Sequence, residues 1–317
     1  MPEGSLRLFL MAATVAIHLG LALVIGSLAS RAWVWRRSSA WSARVAHQAM
    51  QTSRLGFALG LVGVGASAWF EAMEMSDSSL LSAGPAFASL IRNSHFGRAW
   101  AIGLVAWLTA ASLSSTRLTA TRRTGPFVLA LLAVGVFAVT RSVVSHAGSQ
   151  GDLTVDVAAD WVHLVLVCLW VGIVLVGARL ALPSDLAPQD ERADAARWVS
   201  LLSTTATAAI VGIGATGLFK VSRGWTVLVS LPQYVGSDYG KALAAKLALV
   251  VFAAALGGLN RFVVLPRLFE GLAAGPAWGG GHWRRRLLLI LRVEAATLFL
   301  VLCAAAVLST SELPGTT

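Results

Sequence analysis

Residues 5–30 read SLRLFLMAATVAIHLGLALVIGSLAS, twenty-six positions with one charge, Arg7. At 1.5 Å of rise per residue such a helix reaches about 39 Å, enough to cross the ~30 Å of hydrocarbon in a bilayer. The run is longer than the apolar core of a secretory signal and has only Arg7 as an early basic residue, so we read it as an uncleaved first span. Seven more stretches meet the same requirement: 54–73, 97–115, 126–144, 158–182, 199–221, 241–265 and 287–308. The expected fold is all-α, a polytopic integral membrane bundle of eight transmembrane helices. It forms one domain over 1–317, with four spans in 1–150 and four in 151–317.

Composition agrees. Apolar residues make up 56% of the chain and charged ones only 13%, with a mean hydropathy of +0.73. A soluble protein of 317 residues cannot cover that much apolar surface with so few charges. This excludes a soluble enzyme, a disordered chain and a nucleic-acid binder, and the net charge of +10 reads instead as basic loops facing anionic lipid. With the N-terminus outside, 17 of the 25 Lys and Arg residues fall in inward-facing segments, 7 in outward-facing ones, and Lys246 lies within a span. Basic residues mark the cytoplasmic side. Both termini are therefore expected on the extracytoplasmic face of the membrane. Residues 187–196 read as a solvated cytoplasmic connector, and GPAWGGG at 275–281 as a flexible loop before a basic anchor.

Ionisable groups at membrane depth are costly unless paired or wetted, so they point to function. His95 precedes span three, His146 ends span four and His163 lies one turn into span five. Asp156, Asp160 and His163 stand at i, i+4 and i+7, on one helix face. Glu71, Met73, Glu74 and Met75 crowd the end of span two on the same side. Imidazole suits copper, zinc, iron and nickel, and thioether sulfur selects Cu(I). A carboxylate beside a ligating His fixes its tautomer, the role expected of Asp160. The predicted metal site thus draws on His146, His163, His95, Met73, Met75, Glu71, Glu74 and Asp160. The gap between spans four and five is short, which makes these spans antiparallel neighbours.

Deeper in the bilayer, His18 is either a relay ligand or a hydrogen-bonded partner of a neighbouring helix. Cys168 and Cys303 lie in apolar runs, as soft stepping stones for Cu(I) or as small packing residues, and no disulfide is implied. Glu294 either pairs with an Arg or belongs to a path, and Lys246 is expected to snorkel. In span two, Gly56, Gly60, Gly63 and Ser67 form a small-residue stripe. Extended at helical spacing the stripe reaches Glu71 and Glu74, which are therefore expected to point into the bundle. Ser203, Thr207, Gly214 and Gly217 form a second such face in span six.

SHAG at 145–148, DWVHLVLVCLWVG at 160–172, TGLFKVSRGW at 216–225, YGKALAAKLALV at 239–250, LGGLNR at 256–261 and LRVEAATLFLVLCAAAVLS at 291–309 resemble the copper resistance D (CopD) family of bacterial inner-membrane proteins. The region most like the family is about 199–309. The resemblance implies copper movement across the inner membrane beside a small periplasmic carrier of the CopC type, expected as a separate protein because no loop has room for it. After His163 the only His is His282, so metal ligands come mainly from the N-terminal half. A second reading is a membrane b-type cytochrome with bis-His haem ligation, for which His95, His146 and His163 could serve. No nucleophile constellation supports an enzyme.

Overall fold

The computed structural model describes residues 3–115, 124–184, 186–223, 237–274 and 281–310. The described residues contain helices and no strand, and eight helices are long and apolar enough to cross a membrane. In chain order they are α1 (Glu3–Val34), α2 (Ala40–Ser76), the short α3 (Gly84–Asn93), α4 (His95–Ser115) and α5 (Thr124–Val143). A 3-10 turn at His146–Gln150 leads to α6 (Val155–Arg179), then α7 (Gln189–Arg223) and α8 (Asp238–Leu259). A π-helical turn at Asn260–Val264 joins α8 to α9 (Leu265–Ala274), and α10 (Gly281–Ser309) follows. The protein is an all-α polytopic membrane protein, as expected. All eight spans lie where the sequence put them, several extended by a turn or more.

Local chemistry sets the helix starts. Ser39, Thr154 and Ser237 sit in extended backbone ahead of α2, α6 and α8, each with its side-chain oxygen accepting from a first-turn N–H. Pro85 occupies the first turn of α3, where no intrahelical N–H is needed.

Helix α1 is the centre of the bundle, lying chiefly against α2 and α6, with α10 beside it. Close approach depends on glycine. A Cβ on Gly20 would stand 2.7 Å from the Gly56 carbonyl oxygen, and one on Gly172 would stand 2.8 Å from the Gly26 nitrogen. These are backbone-to-backbone notches that no other residue fits, the packing device of membrane helices. Outward, Leu61, Val62, Val105, Leu132, Val211 and Val251 are exposed. In water they would be a liability; against lipid chains they are at home.

At the end of the bundle where α1 finishes, one feature departs from the sequence reading. Residues 187–196 are not a solvated connector: α7 starts at Gln189, and Glu191 and Asp194 are buried. Asp194 accepts hydrogen bonds from Ser39 at 2.7 Å and Ser42 at 2.9 Å, and lies 3.4 Å from the Arg37 guanidinium. Glu191 takes a 2.7 Å bond from Arg44. Four charges within residues 190–194 suggest a loop, yet the partners of Glu191 and Asp194 lie some 150 positions earlier, just before α2 and in its first turns, and Arg192 donates to the Leu272 carbonyl of α9. Asp194→Ala should lower stability by about 1–3 kcal/mol, because two buried hydroxyls lose their acceptor. Arg44→Ala should change little, since that side chain is 58% exposed and such pairs contribute about 0–1 kcal/mol. Thermal unfolding in detergent compares the two, and equal losses would contradict this account.

Candidate metal site

The face of α6 that the sequence singled out meets α7. Running antiparallel, α7 brings Arg223, Lys220 and Thr216 opposite Asp156, Asp160 and His163 in that order. Arg223 donates twice to the Asp156 carboxylate at 3.0 Å, and the Lys220 ammonium donates to Asp160. His163 Nδ1 lies 2.8 Å from Thr216 Oγ1. Ser145, which caps the 3-10 turn, reaches Asp160 at 3.4 Å.

The third rung has a chemical consequence. Thr216 has one hydroxyl proton, and its oxygen lies 2.8 Å from the Gly212 carbonyl, a bond that uses that proton within α7. Thr216 then accepts from His163, which places the ring proton on Nδ1 and leaves Nε2 with its lone pair free, the form that binds a metal. The tautomer is assigned from this hydrogen-bond pattern. Thr216 therefore holds the position that sequence reasoning gave to Asp160. The carboxylate was the better guess by spacing alone, but Lys220 already engages it.

Behind this ladder lies a second layer. His18 of α1 is half-buried, its backbone carbonyl 3.8 Å from the buried Cys168 thiol. The charges of Arg141, Asp160 and Lys246 all act on the His18 imidazole, and those of Lys220, Lys246 and Asp160 act on His163. The Arg141 guanidinium sits over the Phe137 ring at 5.6 Å, with Nε and Nη2 buried and without a hydrogen-bond partner among the described residues. Arg141 is one of the seven basic residues assigned to outward-facing segments from the sequence, and Lys246 is the one expected to snorkel. Their positions inside apolar runs were the available signal.

The other predicted residues are dispersed. His95 is half exposed and pairs with Asp152 at 2.8 Å. His146 is exposed at the start of the 3-10 turn. Met73 is buried in the core, whereas Met75 is 70% exposed. The expectation that Glu71 and Glu74 point into the bundle needs correction: Glu71 is half-buried and Glu74 exposed. Gly56, Gly60 and Gly63 do pack inward, but beyond Ser67 the buried positions are Ala68, Ala72 and Met73, one step round the helix from the stripe. Among the described residues no three His, Cys, Asp or Glu side chains form a group able to hold a metal ion. Glu294, buried in α10, accepts a 3.1 Å bond from the Trp170 indole.

Comparison with known proteins adds one finding. Residues 196–308 match the family model of copper resistance protein D. The match runs from α7 to α10 and includes Thr216, Lys220, Lys246 and Glu294; His18, Arg141 and His163 lie before it. No curated protein and no solved structure matches the chain. The resemblance read from the sequence is thus borne out over 196–308, the stretch that supplies the α7 side of the ladder and matches the copper resistance protein D family model.

Proposed function

We propose that this protein carries copper ions across the bacterial inner membrane, taking the ion at His163. The family match supports a role in copper resistance or transport. The observation that carries the finer reading is the Thr216 bond, which frees Nε2 of an imidazole inside the bundle. His18 and the Cys168 thiol lie further along α1 and α6, soft donors in the direction an ion would travel. His95, His146 and Met75 stand at the same end of the bundle as the ladder, placed to gather copper from a CopC-type carrier before it reaches His163.

Arg141, Lys220 and Lys246 raise the local positive potential, so a bare cation is admitted only when Asp160 turns from Lys220 to face it. The same three cations favour a second reading. Haem brings two carboxylates that such a lining would hold, with His18 and His163 as axial candidates. Metal analysis beside a visible spectrum separates the two. The transport reading expects copper bound on reconstitution and no Soret band, and a native Soret band without copper would sink it.

Orientation is part of the proposal. With basic segments inside, a reporter that works only outside the cytoplasm should be active when fused after Thr317. Activity of a cytoplasm-only reporter at that position would invert the bundle and put the ladder inside the cell.

A further inference from the structure

A second polar centre lies away from the ladder, between α6, α8 and α10. Glu294 is 2% exposed, and its one hydrogen-bond donor among the described residues is the neutral Trp170 indole. A Cβ placed on Gly257 of α8 would stand 3.5 Å from Glu294 Oε1, so the carboxyl group rests against the one side-chain-free position on that face. One turn further along the same face is Asn260, 5% exposed, with Nδ2 and Oδ1 both without a partner among the described residues. Asn260 also opens the π-helical turn, where the Leu265 N–H bonds to the Asn260 carbonyl. Such turns recur at functional sites, and a buried amide with neither atom satisfied is rare enough to require an explanation.

The charge balance points the same way. Titratable groups along the elements packed around Glu294 include His18 and Arg31 of α1, Cys168 of α6, Lys246 of α8, Arg261 of the π turn and Arg292 of α10 itself, while Asp156, Asp160, His163 and Lys241 stand towards the ladder end of α6 and α8 and Arg179 and Arg284–Arg286 towards the other end. Arg261 is turned to Ser203 and Arg292 to the Ala178 carbonyl. None of these cations pairs with Glu294 among the described residues. An unpaired carboxylate in an apolar interior costs several kcal/mol, so a small cation must accompany it. The proton fits a carboxyl group that rests between an indole and a glycine, with the Asn260 amide one turn along α8 from that glycine.

We infer that Glu294, with Asn260, is an intramembrane proton-binding site that exchanges its proton as copper moves. The coupling half of this inference rests on the transport reading above. The step is an O–H heterolysis: the bonding pair stays on the carboxylate, and the proton passes to water beside the Asn260 amide.

The test has two arms. In metal-free purified protein at neutral pH, infrared spectroscopy should show the C=O band of a protonated carboxyl group that shifts in deuterated water. The band should vanish in Glu294→Gln and move in Asn260→Leu, a variant that keeps the carboxyl group. A wild-type protein without this band, or with one that Glu294→Gln leaves intact, overturns the site. In vesicles loaded with a pH-sensitive dye, copper addition should move protons through the wild type. Glu294→Gln should cut that signal at least ~10-fold while binding copper normally, and Glu294→Asp should restore part of it. Undiminished copper-linked proton movement in Glu294→Gln overturns the coupling. A wild type that shows the band but moves no copper would leave the proton site standing and remove the transport reading instead.

Discussion

His163→Ala should abolish stoichiometric copper binding by the folded protein, and Thr216→Val should weaken it by about 10–100-fold, the usual cost of losing a ligand's orienting partner. The two variants act on different atoms. The first removes Nε2, the free donor. The second leaves the ring in place but strips the acceptor from Nδ1–H, so the imidazole can rotate or switch tautomer and bury its lone pair. Asp160→Asn should have the milder effect of the two changes beside the histidine, because Asp160 is held by Lys220 and makes no bond to the ring. Titration of reduced copper into purified protein, with near-ultraviolet circular dichroism to confirm folding, reads all three. Full binding by His163→Ala would remove His163 from the site. Full binding by a His146→Ala, His163→Ala double variant would move the site towards His18.

A substitution at the α1–α6 crossing should have the larger structural effect. Gly172→Leu places a side chain where the Gly26 nitrogen and the Ala22 carbonyl group already stand, and neither backbone can yield without breaking its own helix. We expect a cost of about 3 kcal/mol or more, at the upper end of overpacking effects, and little or no assembled protein. Gly60→Leu should be nearly as damaging, because its Cβ would enter the Trp107 ring, whose indole is fixed by a 3.0 Å bond to the Phe57 carbonyl. Gly65→Ala on the same helix as Gly60 meets nothing within 4 Å. It should be neutral or stabilising by about 0.5–1 kcal/mol, the helical advantage of alanine over glycine. Size-exclusion profiles before and after mild heating distinguish these outcomes, and a monodisperse, heat-stable Gly172→Leu protein would refute the packing account.

The eight spans were legible because crossing a bilayer demands about 20 apolar residues in a row, a requirement on consecutive positions. Which helix lies beside which was not legible. Lipid tails and a protein interior are equally apolar, so a span carries no amphipathic stripe to mark its buried side. Polar residues carried that information instead. The i, i+4, i+7 set of Asp156, Asp160 and His163 did mark a true interface, but its partner was invisible. Thr216 lies 53 positions beyond His163, and Lys220 lies 60 beyond Asp160. A Thr inside a span is common and an intramembrane His is not, so attention went to one end of the bond. The opposite error occurred at Asp194 and Glu191, where charge density suggests exposure while Arg37, Ser39, Ser42 and Arg44, just before α2 and in its first turns, partner both carboxylates in their buried positions. The residues of 224–236 and 275–280 lie outside the described structure, including part of the TGLFKVSRGW stretch and most of the GPAWGGG loop.

The glycine notch between α1 and α6 also sets a timetable for biogenesis. Helix α1 leaves the ribosome first, yet the residue that fills its Gly26 notch, Gly172, is polymerised about 150 residues later. At ~5–20 residues per second that is a delay of roughly 7–30 s. During it the newborn helix can close against α2 through Gly20, while its other notch is open to lipid chains. The protein must therefore be inserted as a waiting hairpin, completed only when the fifth span arrives. A cell that slows translation between these two helices prolongs the interval in which that exposed groove can be captured by another membrane helix.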